Sequence, residues 1–176
     1  MTGREREARR LRTLVARLWR DWTVAERIHD RLGRAIGRIA DDGADEVTVG
    51  ATALYLQNVY TAIEELMQRI AAEVDGSTPS GADWHRELID QMLTEIPGVR
   101  PPVIDDELGR DLDLLRRFRH VVRHAYAEPY DWREMQDAVA AERRVVDRFP
   151  QAISRIESLL AKAIEVLERE VPTDTL

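Results

Sequence analysis

The segment from residue 116 to residue 124 combines side chains that could hold a phosphate group and move its protons. It contains two histidines and four arginines, namely Arg116, Arg117, Arg119, His120, Arg123 and His124. A guanidinium can hold a phosphate through two parallel hydrogen bonds, and an imidazole gains or loses a proton near neutral pH. The chain as a whole is acidic, with a formal net charge of -7. This local group of cations therefore predicts a binding site for a phosphodiester.

The same side chains would suit cleavage of RNA without a metal ion. A neutral imidazole can take a proton from the ribose 2′-hydroxyl or, once protonated, give one to the leaving oxygen. A guanidinium can stabilise the charge that develops on the phosphate in the transition state. The nearby arginines should disfavour a protonated His124, which keeps this imidazole available as a base. The expected product carries a 2′,3′-cyclic phosphate, with Arg119 and His124 as the candidate catalytic residues.

Helix geometry limits how these two residues can work together. Arg119 and His124 are five residues apart, which is about 140° around a regular helix. One straight helix therefore does not aim both side chains at a single atom. Two solutions remain open: either the helix loosens as it approaches Pro129, or two copies of the chain meet along this face. In the second case a homodimer is part of the site.

Spacing alone would also allow these histidines to bind a metal ion. His120 and His124 are four residues apart on a helix, as in several metal sites. Their neighbours, however, are arginines, which repel a cation. We expect a site without a metal ion or any other cofactor.

Composition indicates an ordinary folded protein. The 176 residues are 44% hydrophobic and 34% charged, which predicts a single folded domain over residues 1–176 rather than a disordered chain. Cysteine is absent, which excludes disulfides and thiolate metal sites and suits a reducing cytoplasm. Residues 1–15 lack the apolar core of a signal peptide, and no segment approaches the roughly 20 apolar residues of a membrane span. We therefore expect a cytoplasmic protein that does not associate with membranes, and the acidic balance confines any RNA contact to one local surface.

Helical periodicity dominates the chain and predicts the elements that position the site. Asp105 is a suitable N-cap for the motif helix, Pro129 should end that helix, and Pro150 should kink or split the last one. We predict an all-α, up-and-down bundle of about five helices joined by short loops. The predicted helices span about residues 4–39, 45–74, 83–96, 105–127 and 132–170.

Apolar residues at helical spacing predict the buried face of each helix. In the first two helices these faces include Val24 and Leu54. In the motif helix, the predicted apolar stripe consists of Leu108, Leu112, Leu115, Phe118 and Val122.

Beyond these physical features, the chain resembles a known family. The run from Arg116 to Tyr126 looks like the active-site helix of HEPN-domain ribonuclease toxins, in particular the HepT-like family. Four stretches before it also fit, namely residues 60–64, 75–76, 84–88 and 100–101. The resemblance is best over residues 50–135.

The resemblance implies a HEPN-type bundle that dimerises along the motif helix. Arg119 and His124 match the two fixed positions of the family's catalytic motif, and His120 fills the polar position after the arginine. Tyr126 matches the tyrosine to which the family's partner, a minimal nucleotidyltransferase antitoxin of the MntA type, attaches AMP. An attached AMP would place bulk and negative charge where the RNA phosphate should bind, which would silence the site.

Several residues have competing interpretations. Tyr126 could instead be a core or interface tyrosine with its hydroxyl at the rim. Among the flanking arginines, Arg123 is the preferred contact for RNA, because it lies about 40° from Arg119 on the helix. Arg116 is a second candidate, and His120 is a supporting catalytic or RNA-binding residue.

Other titratable residues are expected to have structural roles. His85, beside Trp84, should anchor the third helix, and His29 should be exposed. Glu64 and Glu65 are expected on a solvated helical face.

The leading hypothesis is the toxin component of a toxin–antitoxin system, acting as a metal-independent endoribonuclease that AMPylation of Tyr126 silences. Its partners would be RNA, a second copy of the chain and a cognate nucleotidyltransferase. The alternative is a non-catalytic HEPN binding module that presents nucleotide or substrate to such a nucleotidyltransferase. A third interpretation is a plain helical interaction protein.

Overall fold

The computed structural model describes residues 2–124 and 130–169, and these residues form a bundle of five α-helices without a strand. The predicted all-α class is therefore confirmed. The helices are α1 (Gly3–Asp42), α2 (Glu46–Ile70), α3 (Trp84–Leu93), α4 (Asp106–His124) and α5 (Gln136–Arg169).

The long helices run up and down, as their cross-links show. On α1 and α5, Arg12 pairs with Glu168 near one end, while Trp22 stacks on Phe149 with ring centroids 5.7 Å apart further along. This pairing order requires that α1 and α5 run antiparallel. Helix α4 packs between α2 and α5, and the short α3 covers the groove between α2 and α4.

A buried ion pair fixes the loops around α3. Helix α2 ends in a π-helical turn, residues 71–75, and Gly76 then adopts a left-handed conformation with φ of 74°. Asp75 in this turn accepts from Arg100 Nε at 2.5 Å, and both side chains are almost completely buried. Arg100 also donates to the carbonyl oxygens of Gln91 and Thr94, each at 3.0 Å. These bonds hold the C-terminal end of α3 against the end of α2.

The helix boundaries follow the predicted ones except that α3 ends at Leu93 rather than near residue 96 and α5 begins later than predicted. As predicted, Asp105 caps α4, because its Oδ1 accepts from Leu108 N at 3.0 Å. Helix α5 begins at Gln136 rather than near residue 132, because Asp131 caps a separate turn through Arg133 N. Pro150 lies inside α5 and does not split it. The predicted end of the motif helix before Pro129 lies outside the described residues.

The predicted buried faces are correct for most positions and wrong for two. Val24 is 41% exposed and Leu54 is 50% exposed. Leu54 is wrong because the core face of α2 is centred on Leu56 and Ile63, and a helix turns by about 100° at each residue. In α4, Leu108, Leu112 and Leu115 are buried as predicted.

In the described part of the chain, no helix combines the length and the apolar character that a membrane crossing needs.

Candidate functional site

Close packing between α3 and α4 sets the position of the motif. Gly109 on α4 lies directly against Leu93 on α3, and a Cβ at Gly109 would come within 3.0 Å of both Leu93 methyl carbons. A side chain at this position would require Leu93 to shift, so the absence of a Cβ lets the two helices pack closely here. This contact is three helical turns before the motif and fixes how α3 lies along α4.

The key arginine of the motif points into the bundle. The Arg119 side chain is only 14% exposed. Its Nη2 lies 3.7 Å from Glu64 Oε2 on α2, and its Nη1 lies 3.4 Å from His85 Nε2 on α3. Its Nε is buried and has no hydrogen-bond partner among the described residues. Arg119 thus joins three helices at one cluster, which we call the Glu64–His85–Arg119 cluster.

A carboxylate–imidazole pair forms the inner side of this cluster. Glu64 is 3% exposed, and its Oε1 lies 2.5 Å from His85 Nδ1. A proton on Nδ1 donates to the carboxylate, so the lone pair of Nε2 is free to accept from Arg119. The expectation that Glu64 lies on a solvated face is wrong, because the α2 face that carries Glu64 packs against α3 and α4. Its neighbour Glu65 is exposed, as expected.

His85 has a wider set of contacts than the sequence suggested. Its ring packs against that of Trp84, with centroids 3.6 Å apart, and its bond to Glu64 ties α3 to α2. This agrees with the predicted anchoring role. The contact of the same imidazole with Arg119 was not predicted.

Tyr60 lies one helical turn before Glu64, and its complete burial shows that water is excluded from this part of the bundle. Its hydroxyl is buried without a hydrogen-bond partner among the described residues. Burial raises the pKa of Tyr60 well above its ordinary value, and the Glu64 charge adds to this effect, while Arg116 and Arg119 oppose it. In such a setting the electrostatic interactions of Glu64 and Arg119 are stronger than they would be in water.

The two histidines of the motif lie on the surface. Both are exposed, and their rings pack with centroids 4.2 Å apart. His124 Nδ1 donates to the carbonyl oxygen of His120 at 2.7 Å, which directs Nε2 away from the helix. Arg119 and His124 therefore point in different directions within one chain, as the helix geometry predicted. Tyr126 lies outside the described residues.

A pocket of about 440 Å³ opens beside the cluster, between α3 and α4. Most of the side chains that line it are titratable: His85, Arg86, Arg116, Arg117 and His120, together with the carboxylate of Asp83. Val121, 58% exposed, forms an apolar part of the rim.

The predicted arginines are placed in different ways around this pocket. Arg116 donates from Nε to Asp113 Oδ1 at 2.8 Å, and Arg117 lies 3.3 Å from the same carboxylate. Asp113 therefore holds both side chains at the pocket wall. Arg123 is exposed and makes no ion pair with another described residue.

The fourth histidine is remote from this site. His29 on α1 is half-buried rather than exposed, which corrects the sequence expectation, and its Nδ1 lies 2.8 Å from Glu142 Oε1 on α5. The carboxylate of Glu142 is fully buried. Burial raises the pKa of Glu142, and the contact with His29 partly offsets this rise.

A model of HepT-like proteins matches residues 51–160, which is more than half of the chain. The chain belongs to this family. The match confirms the predicted relationship and runs from α2 into α5, so it includes Glu64, His85, Arg119 and both motif histidines. A search of curated proteins and a search of solved structures each give no match.

Proposed function

We propose that this HepT-like protein is the toxin of a toxin–antitoxin pair and acts in the cytoplasm as an endoribonuclease. The observation that supports this most strongly is the position of Arg119. A mostly buried guanidinium lies beside a pocket whose walls contribute three further arginines and two histidines. A surface of this kind suits a phosphodiester, because each guanidinium can donate two hydrogen bonds to one phosphate.

The proposed reaction needs two proton transfers on opposite sides of the phosphorus atom. A base removes the proton of the ribose 2′-hydroxyl, the 2′-oxygen attacks phosphorus, and the bond to the 5′-oxygen breaks. An acid then gives the leaving 5′-oxygen its proton. Arg119 stabilises the charge on the non-bridging oxygens. One product ends in a 2′,3′-cyclic phosphate, and the other begins with a 5′-hydroxyl.

We propose that this chemistry needs no metal ion. Three arginines and two histidines line the pocket together with one carboxylate, Asp83, and the arginines compete with a metal ion for the same phosphate oxygens. Cleavage should therefore persist in excess EDTA. A strict requirement for added Mg²⁺ or Mn²⁺ would contradict this part of the proposal.

We infer further that the active protein is a homodimer in which Arg119 of one copy and His124 of the other share a substrate. The divergence of these two side chains within one chain supports this inference. The test is to refold a mixture of equal amounts of R119A and H124A. Half of the dimers would be mixed, each with one intact site, so about a quarter of the wild-type activity should return. If both residues act within one chain, the mixture should stay inactive.

The partner we propose is a minimal nucleotidyltransferase antitoxin that transfers AMP to Tyr126. The family membership supports this partner, and the basic surface beside the motif would lose its attraction for RNA once a phosphate was attached nearby. Co-expression with the candidate nucleotidyltransferase should raise the intact mass of the protein by one or more AMP groups. The Y126F variant should keep its unmodified mass.

The central test of the function uses induced expression in cells. Wild type should arrest growth and generate new RNA 3′ ends that carry cyclic phosphate, whereas H124A and R119A should do neither. H29A is the matched control, because it removes a histidine that contacts a carboxylate on α5 and does not line the pocket. A harmless wild type that is folded and free of AMP would contradict the proposal.

One observation favours the non-catalytic binding module as a second candidate. The two fixed residues of the motif do not converge in a single chain, so a dimer that fails to form would leave only a basic pocket. This alternative predicts that H124A keeps full function in the presence of the nucleotidyltransferase and that the complex persists.

A further inference from the structure

We propose that His85, held by Glu64, is the catalytic base that takes the proton of the ribose 2′-hydroxyl, so that the motif histidine His124 serves as the acid and not as the base expected from the sequence. This inference rests on the proposed function and adds a residue outside the motif. The motif alone supplies too few groups for proton transfer. The two transfers occur on opposite sides of phosphorus, and one imidazole cannot serve both in a single step.

The contact with Glu64 sets the tautomer of His85. The short contact between Nδ1 and Glu64 Oε1, at 2.5 Å, fixes the ring and places the proton on Nδ1. Nε2 then carries the lone pair that a base requires. A buried carboxylate that orients an imidazole in this way also stabilises the imidazolium after proton transfer.

The position of His85 Nε2 supports the same role. It lies 3.4 Å from Arg119 Nη1, the group that should bind the phosphate. A phosphate that draws this guanidinium toward its own oxygens would bring the neighbouring ribose close to Nε2 and free its lone pair. The histidine is 22% exposed and lines the basic pocket, so substrate can reach it.

A comparison of the two carboxylate–imidazole pairs in this protein also supports the role of His85. The His29–Glu142 pair has a similar contact, at 2.8 Å, and an even more deeply buried carboxylate. Among the residues that the structure describes, no arginine lies within salt-bridge distance of the Glu142 carboxylate, whereas Arg119 lies 3.7 Å from Glu64. A carboxylate–imidazole pair is thus common to both places, and the phosphate-binding group is present at only one.

In the proposed step, the O2′–H proton passes to His85 Nε2 as O2′ bonds to phosphorus. The P–O5′ bond breaks, and O5′ receives a proton from the imidazolium of His124, contributed by the second copy of the chain. Arg119 holds the non-bridging oxygens throughout. The proton on His85 returns to water after the product leaves.

The test measures single-turnover cleavage of RNA at saturating protein, with RNA affinity measured in parallel. H85A should lower the cleavage rate constant by roughly 100-fold or more, with affinity changed far less. H85N is the second variant, since its amide can still donate to Glu64 and keep α3 in place while no base remains. H29A, which removes the matched imidazole between α1 and α5, should cleave at the wild-type rate.

An RNA with sulfur in place of the bridging 5′-oxygen at the cleaved bond separates base from acid. A thiolate leaves without help from an acid, so this substrate should restore cleavage by H124A and leave H85A and H85N slow. Restored cleavage by the His85 variants would overturn the assignment of His85 as base. Cleavage of ordinary RNA by H85N at the wild-type rate would overturn any catalytic role of His85. An inactive wild type would instead refute the proposed function.

Discussion

Two carboxylate–imidazole pairs with similar Nδ1–Oε1 contacts join different pairs of helices in this bundle, and the charged groups beside them differ. His85–Glu64 joins α3 to α2, and His29–Glu142 joins α1 to α5. The first pair has a guanidinium and a basic pocket beside it. Arg143 and Asp147 act electrostatically on the carboxylate of the second pair, and one oxygen of that carboxylate is buried without a hydrogen-bond partner among the described residues. The pair itself therefore does not define a site, and the cation next to it does.

The largest expected effect comes from the cation that distinguishes the two pairs. R119A should lower RNA cleavage by about 100- to 1000-fold, because it removes the group that stabilises the transition-state charge. R119K should fall nearly as far, since an ammonium cannot form the paired hydrogen bonds of a guanidinium. Single-turnover cleavage measures both. Near-normal activity in R119K would show that charge alone matters here.

The next effect compares the two carboxylates directly. E64Q keeps the shape of the side chain but weakens its hold on the tautomer and charge of His85, so cleavage should fall at least about tenfold with RNA affinity preserved. E142Q, its counterpart in the second pair, should leave the cleavage rate unchanged. Equal effects of the two substitutions on cleavage would erase the distinction between the pairs.

A third comparison concerns the packing that holds the first pair in place. G109A should destabilise the protein by about 1–3 kcal/mol, because the added methyl group meets Leu93 at 3.0 Å and pushes α3 from α4. G37A in α1 meets nothing within 4 Å and should stabilise by about 0.5–1 kcal/mol. Urea unfolding measures both. Because α3 carries His85, G109A should also slow RNA cleavage, whereas G37A should not.

The smallest effect is a pH dependence confined to the second pair. Burial raises the pKa of Glu142 above its ordinary value of 4.5. Stability from this group is therefore fully present below pH 4.5 and is lost as the pH rises through the raised pKa. The glutamine of E142Q does not titrate, so the unfolding free energy of E142Q should increase relative to that of wild type as the pH rises to 7. A wild-type advantage that grows with pH would contradict this sign.

Much of this fold could be predicted from the sequence because long amphipathic helices carry strong periodic signals. Caps such as Asp105 act through neighbouring residues, so their effect is local and readable. Pro150 was harder to interpret, because a proline removes one helical bond while the surrounding packing of α5 keeps the helix continuous.

The site could be predicted only where it lies along one helix. The motif residues Arg119 and His124 follow one another closely, so their types and spacing are visible in the sequence. Glu64 and His85 come from two other helices, and nothing local reveals that they meet Arg119. One signal was available: Glu64 follows Tyr60 by four residues and precedes Met67 by three, which is the spacing of the buried face of α2.

The family resemblance already included Glu64 and His85 in its matching stretches, although it did not explain why these stretches matter. Two pairs of the stretches on which it rests are joined in the structure. Glu64 meets His85, and Asp75 meets Arg100 in a buried ion pair. Residues that looked like separate fragments of a family pattern are contacts that position α3 beside the motif helix.

The most direct test of the central claim is cleavage of a defined RNA by purified protein that intact mass shows to be free of AMP. The substrate is a short RNA that spans a cleavage site mapped in cells, and its counterpart lacks the single 2′-hydroxyl at that site. The account predicts that wild type in EDTA cuts the first RNA to a 2′,3′-cyclic phosphate and leaves the second intact, while R119A cuts neither. Products with a 3′-hydroxyl, or equal cleavage of the two RNAs, would contradict it.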